Sequence, residues 1–140
     1  MANTAVVFWS GTGNTEQMAN AVAEAIREKG SQAALIQAAD FHAADVASYD
    51  AIAFGCPAMG AEELEEGEFE PMFAEVEGSL NGKKIALFGS YGWGDGEWMR
   101  TWEERCKAAG AVLACDFVMA NEAPDEGALA ECRALGEALL

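Results

Sequence analysis

The stretch TAVVFWSGTGNT, Thr4 to Thr15, passes from an apolar run into a glycine-rich turn. Thr4 to Trp9 reads as a strand buried on both faces, because the run is almost continuously apolar. The turn hands over to a helix from Asn14 to about Lys29. Within it Met18, Ala21, Val22, Ala25 and Ile26 fall on one stripe, and Gly30 ends it as a C-terminal cap. A strand, a tight loop and an amphipathic helix in that order form the first unit of a parallel α/β sheet.

The rest of the chain repeats the alternation. Strands are expected at Gln32 to Ala38, Ala51 to Gly55, Lys84 to Gly89 and Ala111 to Met119. A short helix is expected around Ala43 to Ser48. Longer helices carry Phe69, Met72, Phe73 and Val76, then Trp98, Met99, Trp102 and Cys106, then Leu129, Cys132, Leu135 and Leu139 from about Asp125 onward. No linker, repeat or low-complexity tract interrupts them. The expectation is one doubly wound α/β domain over residues 1–140, built on a five-stranded parallel sheet.

Three loops concentrate unusual residues, and each follows the carboxyl end of an expected strand. The first is Ser10-Gly11-Thr12-Gly13-Asn14-Thr15. Its glycines allow a tight turn that brings N–H groups near an anion, and the helix behind it adds the positive end of its dipole. A nucleotide P-loop would need a lysine here, and a dinucleotide fingerprint would need glycine where Glu16 stands. The first basic residue of the chain is Arg27. A loop of neutral donors suits a terminal monophosphate, whereas a triphosphate wants Lys or Mg²⁺. A capped, Ser/Thr-rich turn is the plainer alternative.

The second loop, Gly55-Cys56-Pro57-Ala58-Met59-Gly60-Ala61-Glu62, places one soft apolar side chain, Met59, among small residues. Met59 could lie on a flat ring or anchor the loop in the core. The third, Ser90-Tyr91-Gly92-Trp93-Gly94-Asp95-Gly96, sets Trp93 between glycines with little local core to bury it. An exposed aromatic in a strand-end loop fits a planar ligand. Trp98 and Trp102 instead lie on a helical stripe and read as core.

Charge narrows the partners. The chain has 24 acidic and 8 basic residues, for a net charge of −16. Such a balance repels nucleic acid and anionic membrane surfaces and steers a partner with a basic patch toward it. Glu62, Glu63, Glu65, Glu66, Glu68 and Glu70 crowd one stretch. They read either as a solvated face or as negative charge that opposes full reduction of a nearby redox ring. Cys56, Cys106, Cys115 and Cys132 lack metal or disulfide spacing, and one histidine, His42, cannot complete a zinc set. The cysteines read as scattered thiols in a reducing cytoplasm, and His42 as a surface residue. Neither a secretory leader nor an apolar stretch long enough to span a bilayer is read from the sequence. A cytoplasmic monomer with no metal is expected.

WSGTGNT (Trp9 to Thr15), GCPAMG (Gly55 to Gly60), LFGSYGWGDGEWM (Leu87 to Met99) and NEAPD (Asn121 to Asp125) resemble the short-chain flavodoxins of anaerobic bacteria. The resemblance covers the whole chain. It implies the strand order 2-1-3-4-5, non-covalent FMN, and low-potential one-electron transfer between semiquinone and hydroquinone. It also implies roles. Ser10, Thr12, Asn14 and Thr15 would hold the phosphate while Gly11 and Gly13 shape the turn. Met59 and Trp93 would pack on the two faces of the isoalloxazine, and Pro57 and Ala58 would lie beside it. The peptide at Gly60 would turn toward flavin N5, and Glu62 would meet N3. Ser90, Tyr91 and Gly92 would line the ribityl and pyrimidine side, with Gly94 also among the cofactor-binding residues. Pro57 and Ala61 depart from residues common in relatives, a serine and an aspartate or serine.

Three other functions are weighed. A small NAD(P)H-dependent FMN reductase would need cations near these loops to hold the second nucleotide. A phosphorelay receiver would need acidic residues after the first strand and an aspartate ending the third, where the chain has Trp9-Ser10 and Gly55-Cys56. A cysteine phosphatase would need arginine six positions after a cysteine, and no cysteine has one. The reading is an electron carrier without a substrate of its own.

Overall fold

The structure is a computed structural model that describes residues 3–60 and 62–140. Ala61, one of the expected site residues, lies outside them. Parallel strands run in the order β2-β1-β3-β4-β5, with β6 also on β4. They are β1 (Asn3–Phe8), β2 (Gln32–Gln37), β3 (Ala51–Gly55), β4 (Lys84–Tyr91), β5 (Val112–Leu113) and β6 (Val118–Asn121). The central strands are buried on both faces, so they lack a polar side and read as continuous apolar runs.

Alternation along the strands divides the core into two layers. Val6, Phe8, Ala53, Ala86 and Phe88 pack with α1 (Asn14–Glu28) and α4 (Glu126–Ala138). Ala5, Val7, Ile52, Phe54, Ile85 and Leu87 pack on the other face with α2 (Phe69–Val76) and α3 (Glu97–Ala108). Trp98 and Trp102 are each 1% exposed, as their helical spacing predicts. Phe69 and Trp102 meet edge to face at 5.3 Å. Helices α1 and α4 approach closely at Gly136, where a β-carbon would stand 2.6 Å from the Val22 carbonyl oxygen. Arg133 and Glu28 pair across the same helices.

Beyond shifts of one residue at other ends, the elements differ from the sequence reading in three regions. The strand expected from Ala111 to Met119 is two segments. Between them, the four residues Ala114 to Phe117 span only two positions of β4, Ala86 and Leu87. This is the sheet edge, where no second neighbour enforces the ladder. Asp116 turns to water there, and the extra residues blunt the edge. Strand β4 extends past Gly89 because Ser90 and Tyr91 pair with Ala120 and Asn121. The short helix at Ala43–Ser48 is 3₁₀ in form. Cys56, Cys106 and Cys132 are buried, and Cys115 is partly so. Burial pushes the Cys106 and Cys132 thiols up to about 12, away from thiolate chemistry. Among the described residues no helix is long and apolar enough to cross a membrane.

Candidate functional site

The order places β1 beside β3 although their helices lie on opposite faces, so the loops after them diverge and leave a crevice. A cleft of about 210 Å³ lies there. Gly11 and Thr12 form one wall, Pro57, Ala58 and Met59 a second, and Ser90, Tyr91 and Gly92 a third. The three expected loops therefore meet at one place. Trp9 and Glu122 also line the cleft and are not among the residues the sequence reading selected. No lysine or arginine is in its lining.

Helix α1 begins behind the first loop with Gly13 as its N-cap, at φ 96. That conformation suits glycine, and no side chain caps the helix from this position. The Ser10 hydroxyl oxygen accepts from the N–H groups of Gly13 at 3.1 Å and Glu16 at 3.3 Å. The N–H groups of Thr12, Asn14 and Thr15 donate to no acceptor among the described residues. Ser10 thus serves as the turn's internal brace, and a group of N–H donors at the positive end of the helix remains open. Thr15 and Ser90 are almost fully buried and share a hydrogen bond of 3.1 Å, which ties the helix start to the end of β4.

The second loop folds back on itself. Met59 and Glu63 exchange two backbone hydrogen bonds of 2.8 Å, closing a hairpin in which Gly60 has φ 50 and Glu62 has φ 57. Met59 is left 37% exposed and Trp93 65% exposed, so neither is a core anchor. One Glu62 carboxylate oxygen is buried with no donor among the described residues. It lies against Gly94, where a β-carbon would stand 2.6 Å from the carboxyl carbon. A buried acceptor without a donor costs free energy unless a ligand completes it.

The glutamate run is more than a solvated face. The Glu65 carboxylate accepts from the N–H groups of Gly67, Glu68 and Phe69 at 2.7–2.8 Å, capping the entry to α2. Its own N–H donates to Cys56 Sγ at 3.4 Å, joining this cap to the end of β3. Glu70 binds Arg105 through two hydrogen bonds of 2.7 and 2.8 Å, and Glu77 grips the same guanidinium. Glu68 accepts from the Trp9 indole N–H at 3.0 Å. His42 is exposed and pairs with Glu75 at 3.5 Å, away from the cleft.

Burial works to raise the Glu65 carboxyl, but the three N–H donors outweigh it and hold it below the ordinary 4.5. A carboxylate with a lowered folded value stabilises the fold above the ordinary value and loses that effect as pH falls through the folded one. Glu65→Gln should therefore unfold about 1–2 kcal/mol more easily at neutral pH. The difference should shrink as the pH drops below 4.5 and the parental carboxyl protonates too. Urea unfolding of both proteins across pH measures this. A gap that stays constant into acid would mean the charge of Glu65 is not what the cap uses.

The comparisons with known proteins agree with this arrangement. The flavodoxin family model matches residues 6–136. The flavodoxin of Megasphaera elsdenii is 48% identical over 133 residues, covering 95% of each chain. That of Clostridium beijerinckii is 46% identical over 121 residues, 86% of this chain and 88% of its own. The solution structure of two-electron reduced Megasphaera elsdenii flavodoxin superposes with a TM-score of 0.90 over 97% of both chains. With a sheet order, a three-loop cleft and relatives that all agree, the chain belongs to the flavodoxin family, the FMN-binding carriers that pass electrons between redox partner proteins.

Proposed function

We propose that this chain is a low-potential one-electron carrier that holds FMN in the cleft between the loops after β1, β3 and β4. The observation that carries the reading is the open set of N–H donors at the start of α1, beside a cleft whose lining has no cation. The donors fit one phosphate: Thr12, Asn14 and Thr15 offer backbone and side-chain groups, Ser10 its hydroxyl proton, and Gly11 and Gly13 the close approach. The Glu62 oxygen that has no donor among the described residues fits the N–H of a flavin pyrimidine ring. Met59 and Trp93 are exposed apolar groups of the right kind to flank the ring, and Pro57, Ala58, Tyr91 and Gly92 complete its walls. Gly60, at φ 50 and with open space around it, leaves the hairpin free to change its turn. Gly94 makes room for the Glu62 carboxylate, and Ser90 fixes the end of β4 against Thr15.

When bound, FMN supplies one-electron redox chemistry. The chain supplies its orientation, partial exclusion of water, and surrounding charge. Glu122 lines the cleft, and Glu63 and Glu66 line a neighbouring hollow that shares Met59 with it; negative charge opposes adding more, which favours a low potential. The same charge favours partners with basic docking patches over nucleic acid or membrane. A monomer acting in the cytoplasm, with no metal and no substrate of its own, completes the reading. Cleft-side cations that an NAD(P)H-dependent reductase would use are missing from the lining.

Titration of the full-length apoprotein with FMN, FAD and riboflavin tests the site. FMN should bind at unit stoichiometry and at least about ten-fold more tightly than riboflavin, given donors whose loss costs on the order of 1 kcal/mol each. Equal affinity for FMN and riboflavin would show that the Ser10–Thr15 loop does not receive a phosphate.

A further inference from the structure

We propose that Glu68 is a positioning residue for the cofactor phosphate and acts through the indole of Trp9. This rests on the reading that the Ser10–Thr15 loop receives that phosphate. Trp9 stands directly before the loop, and its backbone N–H is fixed to the Gly55 carbonyl at 3.1 Å. Its ring lies under the loop itself. A β-carbon at Gly11 would stand 3.0 Å from Cη2 and 3.3 Å from Cζ3, so the indole sets how far the Gly11 backbone can sink. The indole N–H donates to Glu68 Oε1 at 3.0 Å. Glu68 is itself held, since its N–H donates to Glu65 Oε1 at 2.7 Å. A chain of contacts thus runs from the α2 entry through Glu65, Glu68 and Trp9 to Gly11.

The physical case for a positioning role comes from what the loop lacks. A lysine tolerates displacement, because a point charge attracts at a distance. Neutral N–H donors do not, because hydrogen bonds weaken steeply with distance and angle. A site that relies on neutral donors depends on what holds its backbone. Glu68 is also an odd residue to find here on electrostatic grounds, since its charge opposes a phosphate anywhere nearby. An acceptor for the indole explains its presence where attraction cannot.

Two substitutions separate the hydrogen bond from the charge. Glu68→Ala and Glu68→Gln both remove the charge, but only glutamine keeps a carbonyl oxygen for the indole N–H. Full-length chains are titrated with FMN and with riboflavin. The Glu68→Ala protein should bind FMN about five-fold more weakly than the Glu68→Gln protein, the scale of one hydrogen bond. Riboflavin, which has no phosphate, should bind the two within about two-fold of each other on the same scale. In a Trp9→Phe background, which removes the indole N–H, the difference for FMN should vanish. Equal FMN affinity in the two Glu68 variants overturns the proposal, and so does a loss shared equally by FMN and riboflavin, which would indicate general loosening. If the parental protein does not prefer FMN over riboflavin, the phosphate reading fails first and the proposal falls with it.

Discussion

Gly89→Ala is expected to lower the unfolding free energy by about 3 kcal/mol or more and to abolish tight FMN binding in what still folds. Gly89 lies inside β4, paired with Met119 of β6 and fully enclosed. A β-carbon there would collide with the Cys56 carbonyl oxygen. That oxygen cannot rotate away as a side chain would. It belongs to the backbone just past β3, where the Cys56 N–H bonds to Phe88 at 3.1 Å and the Ala58 N–H to Ser90 at 3.0 Å. It also accepts the Trp98 indole N–H at 3.2 Å. Relief requires β3 and β4 to separate at the end where the cleft opens. The pieces displaced are Pro57, Ala58 and Met59 on one side and Ser90 on the other, so stability and binding should fall together. Urea unfolding and FMN titration of one preparation check both. A loss under about 1 kcal/mol would mean that this strand pair yields more readily than packed backbone does.

How much of this was legible in the residues depends on whether the signal was local. Gly11 and Gly13 beside hydroxyls, Met59 among small residues and Trp93 between glycines mark their loops within a few positions, and the three marked loops meet at one crevice. The two sheet layers were legible for the same reason, since strand and helix periods are local. Trp9 was not. In sequence it ends an apolar run and reads as the last residue of a strand. Its role depends on Glu68, 59 positions away, and on the sheet order that brings them together. Glu122 was missed because the last strand was ended at Met119, short of the crevice. The glutamate run was read as one feature, solvated or redox-tuning. Glu65, Glu68 and Glu70 instead have separate partners, namely backbone N–H groups, an indole and a guanidinium. Charge patterning alone cannot separate these, because each partner arrives from another element. The split of the edge strand was equally hidden, as Ala111 to Met119 is apolar apart from Asp116 and passes for one strand.

Trp93→Ala and Trp98→Ala should fail in opposite ways, although the residues stand five positions apart. Trp93 is 65% exposed, so its ring contributes little to the fold. Its loss should change apoprotein stability by no more than about 0.5 kcal/mol, the usual range for a surface site. Trp98 is 1% exposed, packs on Tyr91 at 5.6 Å and bonds to the Cys56 carbonyl. Its truncation should cost about 3–5 kcal/mol of stability through the cavity and the orphaned carbonyl. For the cofactor the order reverses per unit of stability lost. An indole stacked on a flat ring is worth about 1–3 kcal/mol to binding. Trp93→Ala should therefore weaken FMN about 5- to 150-fold in a protein that is otherwise as stable as the parent. Riboflavin should lose the same factor, because stacking addresses the ring and not the phosphate, which separates the effect of Trp93 from that of the Ser10–Thr15 loop. Removing the ring also lets water reach one face of the flavin, and water stabilises the added negative charge of full reduction. The second reduction potential should accordingly rise in Trp93→Ala. Binding titrations with both flavins and a stepwise reductive titration supply the measurements. An FMN affinity and second potential equal to the parent's would take Trp93 out of the site and leave it a surface residue of the loop.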